Sequence, residues 1–359
     1  TGSVDYGGIP DESRIRRRRR TLTVTGFLVR AGVALGLSGL LAPLVLALLR
    51  RGHVLDHPTE RSSHASPVPR GGGVAVAVGS LVVLAFTPSV PTIDRTAIAL
   101  SAAMFGLVGL LEDVLGIRAL HRLAIQFAVA ALAAAFLLDA LSGSQLWRAV
   151  FTAGVVIWLV AFVNAYNFMD GINGISVVQA SGAGAVWLVA GTIADSVVLA
   201  GGGAIIAGAA LGFAPFNVPQ ARMFLGDAGS YFVGAWLAAV AVLALRSGVP
   251  AEGVVAPLVI YLGDTGFTLA RRLARGEAWY LPHRGHTYQR LSDAGWSHMQ
   301  SCTFVAACIL ACGLLGMVSL ADSLVARIAA DSAILTVVGA YLASPAWLAH
   351  GRSRLRVAS

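Results

Sequence analysis

Long apolar segments alternate with short polar ones along most of this chain. Eleven segments approach the roughly 20 apolar residues that a helix needs to cross a bilayer. Only helices satisfy their own backbone groups over such lengths in lipid, so the pattern predicts an all-α, polytopic membrane bundle. We expect about eleven transmembrane helices, or ten if one segment is not a true crossing. The predicted spans are 28–49, 71–90, 95–112, 121–140, 148–166, 173–193, 197–214, 229–245, 250–271, 301–320 and 327–349.

Five polar islands follow the first, third, fifth, seventh and ninth apolar segments. Alternate connections of a spanning chain lie on opposite sides of the membrane, so all five islands are predicted to share one face. Random placement would produce that agreement only about one time in sixteen. We therefore expect a functional site on this face. The islands cover residues 56–73, 112–122, 164–173, 217–230 and 271–290.

Composition excludes an ordinary soluble domain. The chain has 359 residues, of which 57% are hydrophobic and only 12% are charged, which is far too apolar for a soluble protein of this length. The net charge of +8 comes entirely from arginine, because the chain contains no lysine. Anionic lipid headgroups and phosphate substrates are therefore the expected partners, and nucleic acid is not.

The distribution of arginine predicts the orientation and the domain boundaries. The odd-numbered connections and the C-terminus hold fifteen arginines and the even-numbered connections hold four, which places the islands in the cytoplasm. The arginines of the N-terminal tail oppose this assignment and are outnumbered. We divide the chain into a basic, disordered tail over 1–21, a single transmembrane catalytic domain over 22–350 and a short basic tail over 351–359. A homodimer is compatible with this organisation.

Acids near apolar segments are candidates for chemistry because they are costly in lipid. Glu112 and Asp113 close the third segment, where they oppose the helix macrodipole and need a compensating cation. Mg²⁺, or Mn²⁺ in its place, suits them because it takes oxygen ligands and substrate phosphates; a solvated helix cap is the alternative. Asp227 follows Gly226 at the start of the eighth segment. That position predicts a phosphate site at a helix N-terminus, with Asp227 as both cap and metal ligand, or else an ordinary N-cap.

Amides and basic side chains fill the remaining islands. An acid or amide recurs every three residues through the third island, which predicts a drifting polar stripe on one side of a helix. These groups can read the edge of a base in a pocket, or they can form a hydrogen-bonded contact between helices. Histidine, arginine and glycine in the first and last islands suit a diphosphate, with a solvated basic loop as the alternative. The residues concerned are Asn164, Asn167, Asp170, Asn173, His64, Arg70, His283, Arg284, His286 and Arg290.

The islands carry five short motifs in a fixed order. They read Asp-His-Pro-Thr-Glu-Arg-Ser-Ser-His from 56 with Pro-Arg-Gly-Gly-Gly from 69, Gly-Leu-Leu-Glu-Asp-Val from 109, Asn-Ala-Tyr-Asn-Phe-Met-Asp-Gly-Ile-Asn-Gly from 164, Phe-Leu-Gly-Asp-Ala-Gly-Ser from 224, and His-Arg-Gly-His-Thr-Tyr-Gln-Arg from 283. Together they resemble the polyprenyl-phosphate N-acetylhexosamine-1-phosphate transferases of glycosyltransferase family 4, which include the phospho-N-acetylmuramoyl-pentapeptide transferase. The last motif is most similar to the O-antigen-initiating type. The resemblance covers roughly residues 30–320.

The resemblance implies a transferase at the cytoplasmic face of a bacterial inner membrane. A polyprenyl (undecaprenyl) phosphate would attack the β-phosphorus of a UDP-N-acetylaminosugar, release UMP and form a lipid-diphosphate sugar, with Mg²⁺ as cofactor. It implies that Asp227, Asp113 and Asn167 hold the metal. It also implies that Glu112 and Asp113 lie beside the metal or deprotonate the lipid phosphate. Direct attack and an aspartyl intermediate both remain open.

The predicted substrate-binding set combines the motifs with the resemblance, which implies that amides hold the uridine and histidines hold the diphosphate. Its members are Asn164, Asn167, Asp170, Asn173, Asn217, His283, Arg284, His286, Arg290, His64, Arg70 and Arg122. Three positions depart from the family pattern: Glu112 replaces an aspartate, Asn173 replaces an acid and Arg122 replaces a lysine.

Two other classes compete with this interpretation. A secondary transporter predicts acids in the middle of spans and an internal repeat, and only Asp264 fits that pattern. The alcohol phosphotransferases that make phospholipids use a clustered four-aspartate signature, which this chain lacks.

Overall fold

The computed structural model describes residues 12–56, 58, 66–138, 143–278, 284–321 and 323–357, with side chains described between 24 and 348. Within these residues the fold is a bundle of thirteen α-helices with one two-stranded ribbon. The helices are α1 (Glu12–Arg51), α2 (Gly73–Ala85), α3 (Thr92–Leu115), α4 (Ala119–Leu137), α5 (Gln145–Met169), α6 (Ile175–Ile193), α7 (Val197–Asn217), α8 (Gly226–Arg246), α9 (Ala251–Val255), α10 (Val259–Ala274), α11 (Thr287–Asp293), α12 (His298–Gly316) and α13 (Leu324–Val357).

Ten helical stretches in the described part of the chain are long and apolar enough to cross a membrane, which confirms a polytopic helical bundle. The second predicted span is the exception. α2 has 13 residues, or about 20 Å at 1.5 Å per residue, against a hydrocarbon core of about 30 Å. Eleven full-length spans are therefore corrected to ten long helices and one short one.

The short helix α2 nevertheless keeps the alternation of the chain between the two ends of the bundle. Its first residue, Gly73, packs against Gly229 near the start of α8. Beyond its last turn, Arg95 of α3 donates from Nη1 to the carbonyl of Ala85 at 2.9 Å. The polar connections after odd-numbered apolar segments consequently meet at the same end.

The chain ends extend further into helices than the predicted tails suggest. α1 begins at Glu12, so the second half of the predicted N-terminal tail lies in its first turns. Residues 1–11 lie outside the described residues. α13 continues to Val357, which includes most of the predicted C-terminal tail. The division into domains remains a prediction.

α8 is the central helix of the bundle. In its most apolar window 94% of the residues are buried, with α3 packed along one side and α5 along another. Gly109 of α3 lies so close to the carbonyl of Asp227 that a Cβ atom would overlap it. Small residues allow such close approach between membrane helices. The contact places the end of α3 directly against the start of α8.

Helix ends correct the predicted polar stripe. α5 begins after Ser144, whose hydroxyl accepts from the backbone N–H of Trp147, and it ends at Met169. Asp170 and Asn173 therefore lie in the following loop, and only the first two residues of the stripe are on the helix. The loop bends at this point because Gly174 adopts a φ of 90° before α6 begins.

A short ribbon attaches the first island to the start of α8. Its strands, β1 (Leu55–Asp56) and β2 (Val68–Pro69), pair antiparallel. The next residue, Arg70, forms a parallel bridge with Phe224. The backbone N–H of Gly72 also donates to the carbonyl of Phe224 at 2.8 Å. These bonds hold Arg70 over the N-terminus of α8.

Candidate active site

Two carboxylates from different helices meet at the start of α8. Asp113, in the last turn of α3, accepts hydrogen bonds from the backbone N–H groups of Asp227 at 3.1 Å and Ala228 at 2.9 Å. Its side chain is 1% exposed. A carboxylate at a helix N-terminus is stabilised by unpaired N–H groups and by the macrodipole. The prediction that Asp227 caps α8 is wrong, because Asp113 accepts from these N–H groups and no side chain at the N-cap of α8 does so. A substrate phosphate at the start of α8 remains a prediction.

Arg70 bridges the two carboxylates. Its Nε lies 2.7 Å from Oδ1 of Asp113, and its Nη2 lies 2.8 Å from Oδ2 of Asp227. Burial disfavours the cation, but the charges of Asp227 and Asp113 outweigh that cost and raise the pKa of Arg70 above its ordinary value. The planar guanidinium suits such a bridge because it presents several donors in one fork. Its predicted contact with a diphosphate remains a prediction.

Asn167 holds Asp227 from the side of α5. Its amide nitrogen donates to Oδ1 of Asp227 at 2.8 Å and to the hydroxyl of Ser230 at 2.9 Å. A metal ion would need the amide oxygen, which is the other end of the same group. Asp227 contacts Asn167 through its side chain and Asp113 through its backbone N–H. The structure therefore brings together the three predicted metal ligands, Asp113, Asp227 and Asn167.

Glu112 and Arg122 form an ion pair beside this centre. Arg122 Nη1 lies 3.0 Å from Oε1 of Glu112, so in the described structure arginine supplies the compensating cation that the sequence assigned to a metal. The other oxygen, Oε2, is buried without a hydrogen-bond partner among the described residues. The hydroxyl of Tyr231, one helical turn beyond Asp227, is also buried without a hydrogen-bond partner among the described residues. Glu112 thus retains an acceptor atom for a proton or a water molecule.

Sequence reasoning missed three polar groups at this centre. Ser230 and Tyr231 lie in the α8 turn beyond Asp227, and the charge of Asp56 acts on Arg70. Asp56 belongs to a motif that the sequence displayed, so its position could have been inferred. Ser230 and Tyr231 follow an acidic position by three and four residues, which is one helical turn.

Like Asn167, the other three predicted substrate-binding amides have partners within the protein. Asn164 lies one turn deeper than Asn167, and its amide nitrogen donates to Gln126 of α4 at 2.7 Å. Asn217 accepts from the backbone N–H of Gly174 at 2.7 Å, and Asn173 donates to the carbonyl of Pro219 at 3.2 Å. The bond of Asn164 to Gln126 matches the hydrogen-bonded contact between helices that is the alternative to a base-binding pocket. The binding of substrate by all three remains a prediction.

Asp170 lies at the rim of the site, just beyond α5. Its Oδ1 accepts a hydrogen bond from the hydroxyl of Ser176 at 2.6 Å. Burial raises the pKa of Asp170 to about 7, although the Ser176 bond acts in the opposite direction. The carboxyl therefore changes its charge close to neutral pH.

The last island is attached to the site by α11. His286 is buried at the start of this helix, with its Nδ1 3.3 Å from Oδ1 of Asp264. Arg284 donates to Asp293 at 2.9 Å, and Arg290 is partly exposed in the same helix. The structure thus gives His286 a role in the fold, and its predicted contact with a diphosphate remains a prediction. The predicted residues His64 and His283 lie outside the described residues.

Comparison with known proteins identifies the family. Residues 95–245 match the family model of glycosyl transferase family 4. A decaprenyl-phosphate N-acetylglucosaminephosphotransferase of Mycobacterium leprae is 30% identical over 300 residues, covering 71% of this chain and 74% of the relative. This chain belongs to glycosyl transferase family 4. The matched region runs from α3 to α8 and includes Glu112, Asp113, Asn167 and Asp227.

Two further relatives show the breadth of this family. A probable undecaprenyl-phosphate N-acetylglucosaminyl 1-phosphate transferase of Bacillus subtilis is 28% identical over 280 residues, covering 73% of this chain and 76% of the relative. A phospho-N-acetylmuramoyl-pentapeptide-transferase of Symbiobacterium thermophilum is 33% identical over 253 residues, covering 61% of this chain and 75% of the relative. Similarity to the family predicted from the motifs is therefore confirmed.

The oxygen ligands at this family 4 site suit a metal ion that also binds a substrate phosphate. No three His, Cys, Asp or Glu side chains converge as a preformed metal cage in the described part of the chain. Mg²⁺ rarely needs such a cage, because it commonly binds one or two carboxylates together with substrate phosphates. Asp113 and Asp227 supply two carboxylates at one place, and Arg70 lies between them. Mg²⁺ and Mn²⁺ remain predictions.

Proposed function

We propose that this protein transfers an N-acetylaminosugar 1-phosphate from a UDP-sugar to polyprenyl phosphate and releases UMP. The named activities of the relatives support a lipid phosphate acceptor and a phospho-sugar as the transferred group. The observation that carries the proposal is the convergence of Asp113, Asp227 and Arg70 at one end of an apolar bundle. A lipid phosphate in the bilayer and a nucleotide sugar in water can both reach such a place.

The reaction replaces one phosphorus–oxygen bond with another. An oxygen of the lipid phosphate forms a bond to the β-phosphorus, and the bond from that phosphorus to the bridging oxygen breaks. The bridging oxygen leaves with UMP. Both reactants are anions, so positioning and stabilisation of charge supply most of the rate. Arg70 is the cation best placed to face them, because it lies over the N-terminus of α8.

Glu112 is the best candidate to take a proton from the lipid phosphate. Its Oε2 is buried and has no hydrogen-bond partner in the described part of the structure. Asp113 already accepts from two backbone N–H groups and from Arg70, so both of its oxygens already have partners within the protein. This difference supports direct attack by the lipid phosphate and disfavours an intermediate on Asp113.

A metal ion and a uridine site complete the proposal. Asp227, Asp113 and the amide oxygen of Asn167 would hold Mg²⁺ or Mn²⁺, which when bound neutralises diphosphate charge. Asp170 and Asn217 would hold the uridine ring, with Asp170 accepting from its N–H when ionised. The excess of arginine at this end of the bundle supports a cytoplasmic site in a bacterial inner membrane. The product would start a cell-envelope glycan such as O-antigen.

The release of UMP tests the proposal. Purified protein receives undecaprenyl phosphate, Mg²⁺ and a panel of UDP-N-acetylhexosamines that begins with UDP-N-acetylglucosamine. We expect UMP to appear only when lipid, donor and metal are all present. The variant Asp227→Asn, prepared in parallel, provides the matched blank. Absence of UMP across the whole panel from folded wild-type protein would contradict the proposal.

A further inference from the structure

Asp264 is a buried acid that the proposed chemistry does not use. It lies in α10, within a membrane-spanning stretch, and has no exposed surface. An unsatisfied carboxylate there would be costly. In the described residues no arginine pairs with it, so its charge must be satisfied in another way. The sequence alone made it the one acid that suited a transporter.

Five contacts satisfy this carboxylate, and they come from three helices. The backbone N–H of Thr287 donates to both carboxylate oxygens at 3.0 Å. The hydroxyl of Tyr341 donates to Oδ2 at 2.8 Å, and that of Thr268 to Oδ1 at 3.2 Å. His286 Nδ1 lies 3.3 Å from Oδ1. Asp264 therefore joins α10 to the first turn of α11 and to α13.

The same first turn of α11 also contacts the active site. Tyr288, the residue after Thr287, donates its hydroxyl to the carbonyl of Phe168 at 3.0 Å. Gly171 packs so closely on that hydroxyl that any side chain would overlap it. Phe168 and Gly171 are the immediate neighbours of Asn167 and Asp170. The position of α11 thus constrains the backbone that carries both side chains.

We propose that Asp264 is a positioning residue for the donor side of the active site. It fixes α11, and α11 in turn holds the end of α5 through Tyr288. Because Asp170 is assigned to the nucleotide, loosening this connection should weaken the binding of the UDP-sugar more than that of the lipid. The identity of the donor rests on the proposed function, whereas the connection itself rests on the contacts above.

Kinetics of two variants test the proposal. Asp264→Asn keeps the shape of the side chain but loses one acceptor oxygen, and Tyr288→Phe breaks the other end of the connection. For each variant we expect about a tenfold rise in KM for the UDP-sugar and a change of less than about twofold in KM for polyprenyl phosphate. Thr87→Val is the control, because it removes a buried hydroxyl bond at the opposite end of the bundle and should change neither constant. Equal changes in both constants, or no change in either, would overturn the proposal.

Hydrogen exchange gives a readout that does not depend on activity. In detergent, Asp264→Asn should speed amide exchange in residues 287–293 and 168–174 and leave residues 197–217 unchanged. Unchanged exchange in 168–174 would overturn the proposal even if α11 itself becomes mobile. If wild-type protein releases no UMP, the proposed function fails while this measurement still decides the positioning role. If Asp264→Asn does not accumulate, Tyr288→Phe carries both measurements.

Discussion

Comparing Asp113→Asn with Asp227→Asn should show that Asp113 stabilises the fold more than Asp227 does. The Asp113 carboxylate accepts from the backbone N–H groups of Asp227 and Ala228 and from Arg70. In Asp113→Asn an amide nitrogen replaces one of these oxygens, so at least one buried N–H faces another donor. Among the described residues, the partners of the Asp227 carboxylate are the side chains of Asn167 and Arg70, so replacing it leaves the backbone of α8 satisfied.

The expected magnitudes follow from this difference. A hydrogen bond to a charged group contributes about 1.5–3 kcal/mol, and removal of one partner of a buried ion pair costs about 3–5 kcal/mol. Arg70 is 35% exposed and keeps Asp227, so the lower end applies. We expect Asp113→Asn to lower the free energy of unfolding by about 3 kcal/mol. For Asp227→Asn we expect a loss of about 1 kcal/mol, since its partners keep access to water.

Thermal unfolding and UMP release together check this prediction. Followed by tryptophan fluorescence in detergent, the Tm of Asp113→Asn should fall by roughly 4 °C, and that of Asp227→Asn by about 1 °C. Both variants should lose UMP release by more than about 100-fold, since each loses a carboxylate that would hold the metal ion. Equal Tm values, or a larger loss for Asp227→Asn, would refute the assignment of Asp113 as the cap of α8. Wild-type turnover from either variant would remove that acid from the reaction.

Three further outcomes are expected. Arg70→Lys should lower kcat/KM at least about tenfold in the UMP assay, because an ammonium group cannot reproduce the planar fork; unchanged activity would reduce Arg70 to a point charge. If Asp170 binds the donor in its ionised form, KM for the UDP-sugar should rise as pH falls through about 7 and stay level in Asp170→Asn; a level wild-type profile would contradict its role. Gly226→Ala places a Cβ 2.8 Å from an Asp113 oxygen at a φ of 76°, and should lower Tm more than Gly248→Ala, which has a φ of 87° and no atom within 4 Å. Equal shifts would show that backbone conformation alone matters.

The hydrophobic pattern predicted the bundle and the shared face because lipid imposes a simple rule on the chain. Every spanning segment must be apolar and helical, and successive connections must alternate. The length of α2 was not predictable in this way. Pro88 marks the end of this helix in the sequence, because proline disrupts a helix interior. The start could not be inferred from residues 71–72, where Gly71 has a φ of 117° and leads into bonds with the α8 loop. Turns of this kind depend on contacts made elsewhere in the molecule.

The order of residues along the chain shows which acids stand at helix ends and which family they resemble. The contacts of each acid follow from how the helices pack in three dimensions. Asp113 meets a backbone N–H that lies 114 positions away, and Asp264 meets one 23 positions away. Such partners are set by the depth and rotation at which helices pack, through glycines such as Gly109. Hydrophobic periodicity records the burial of a helix face, but it carries no information about the neighbour against which that face is buried.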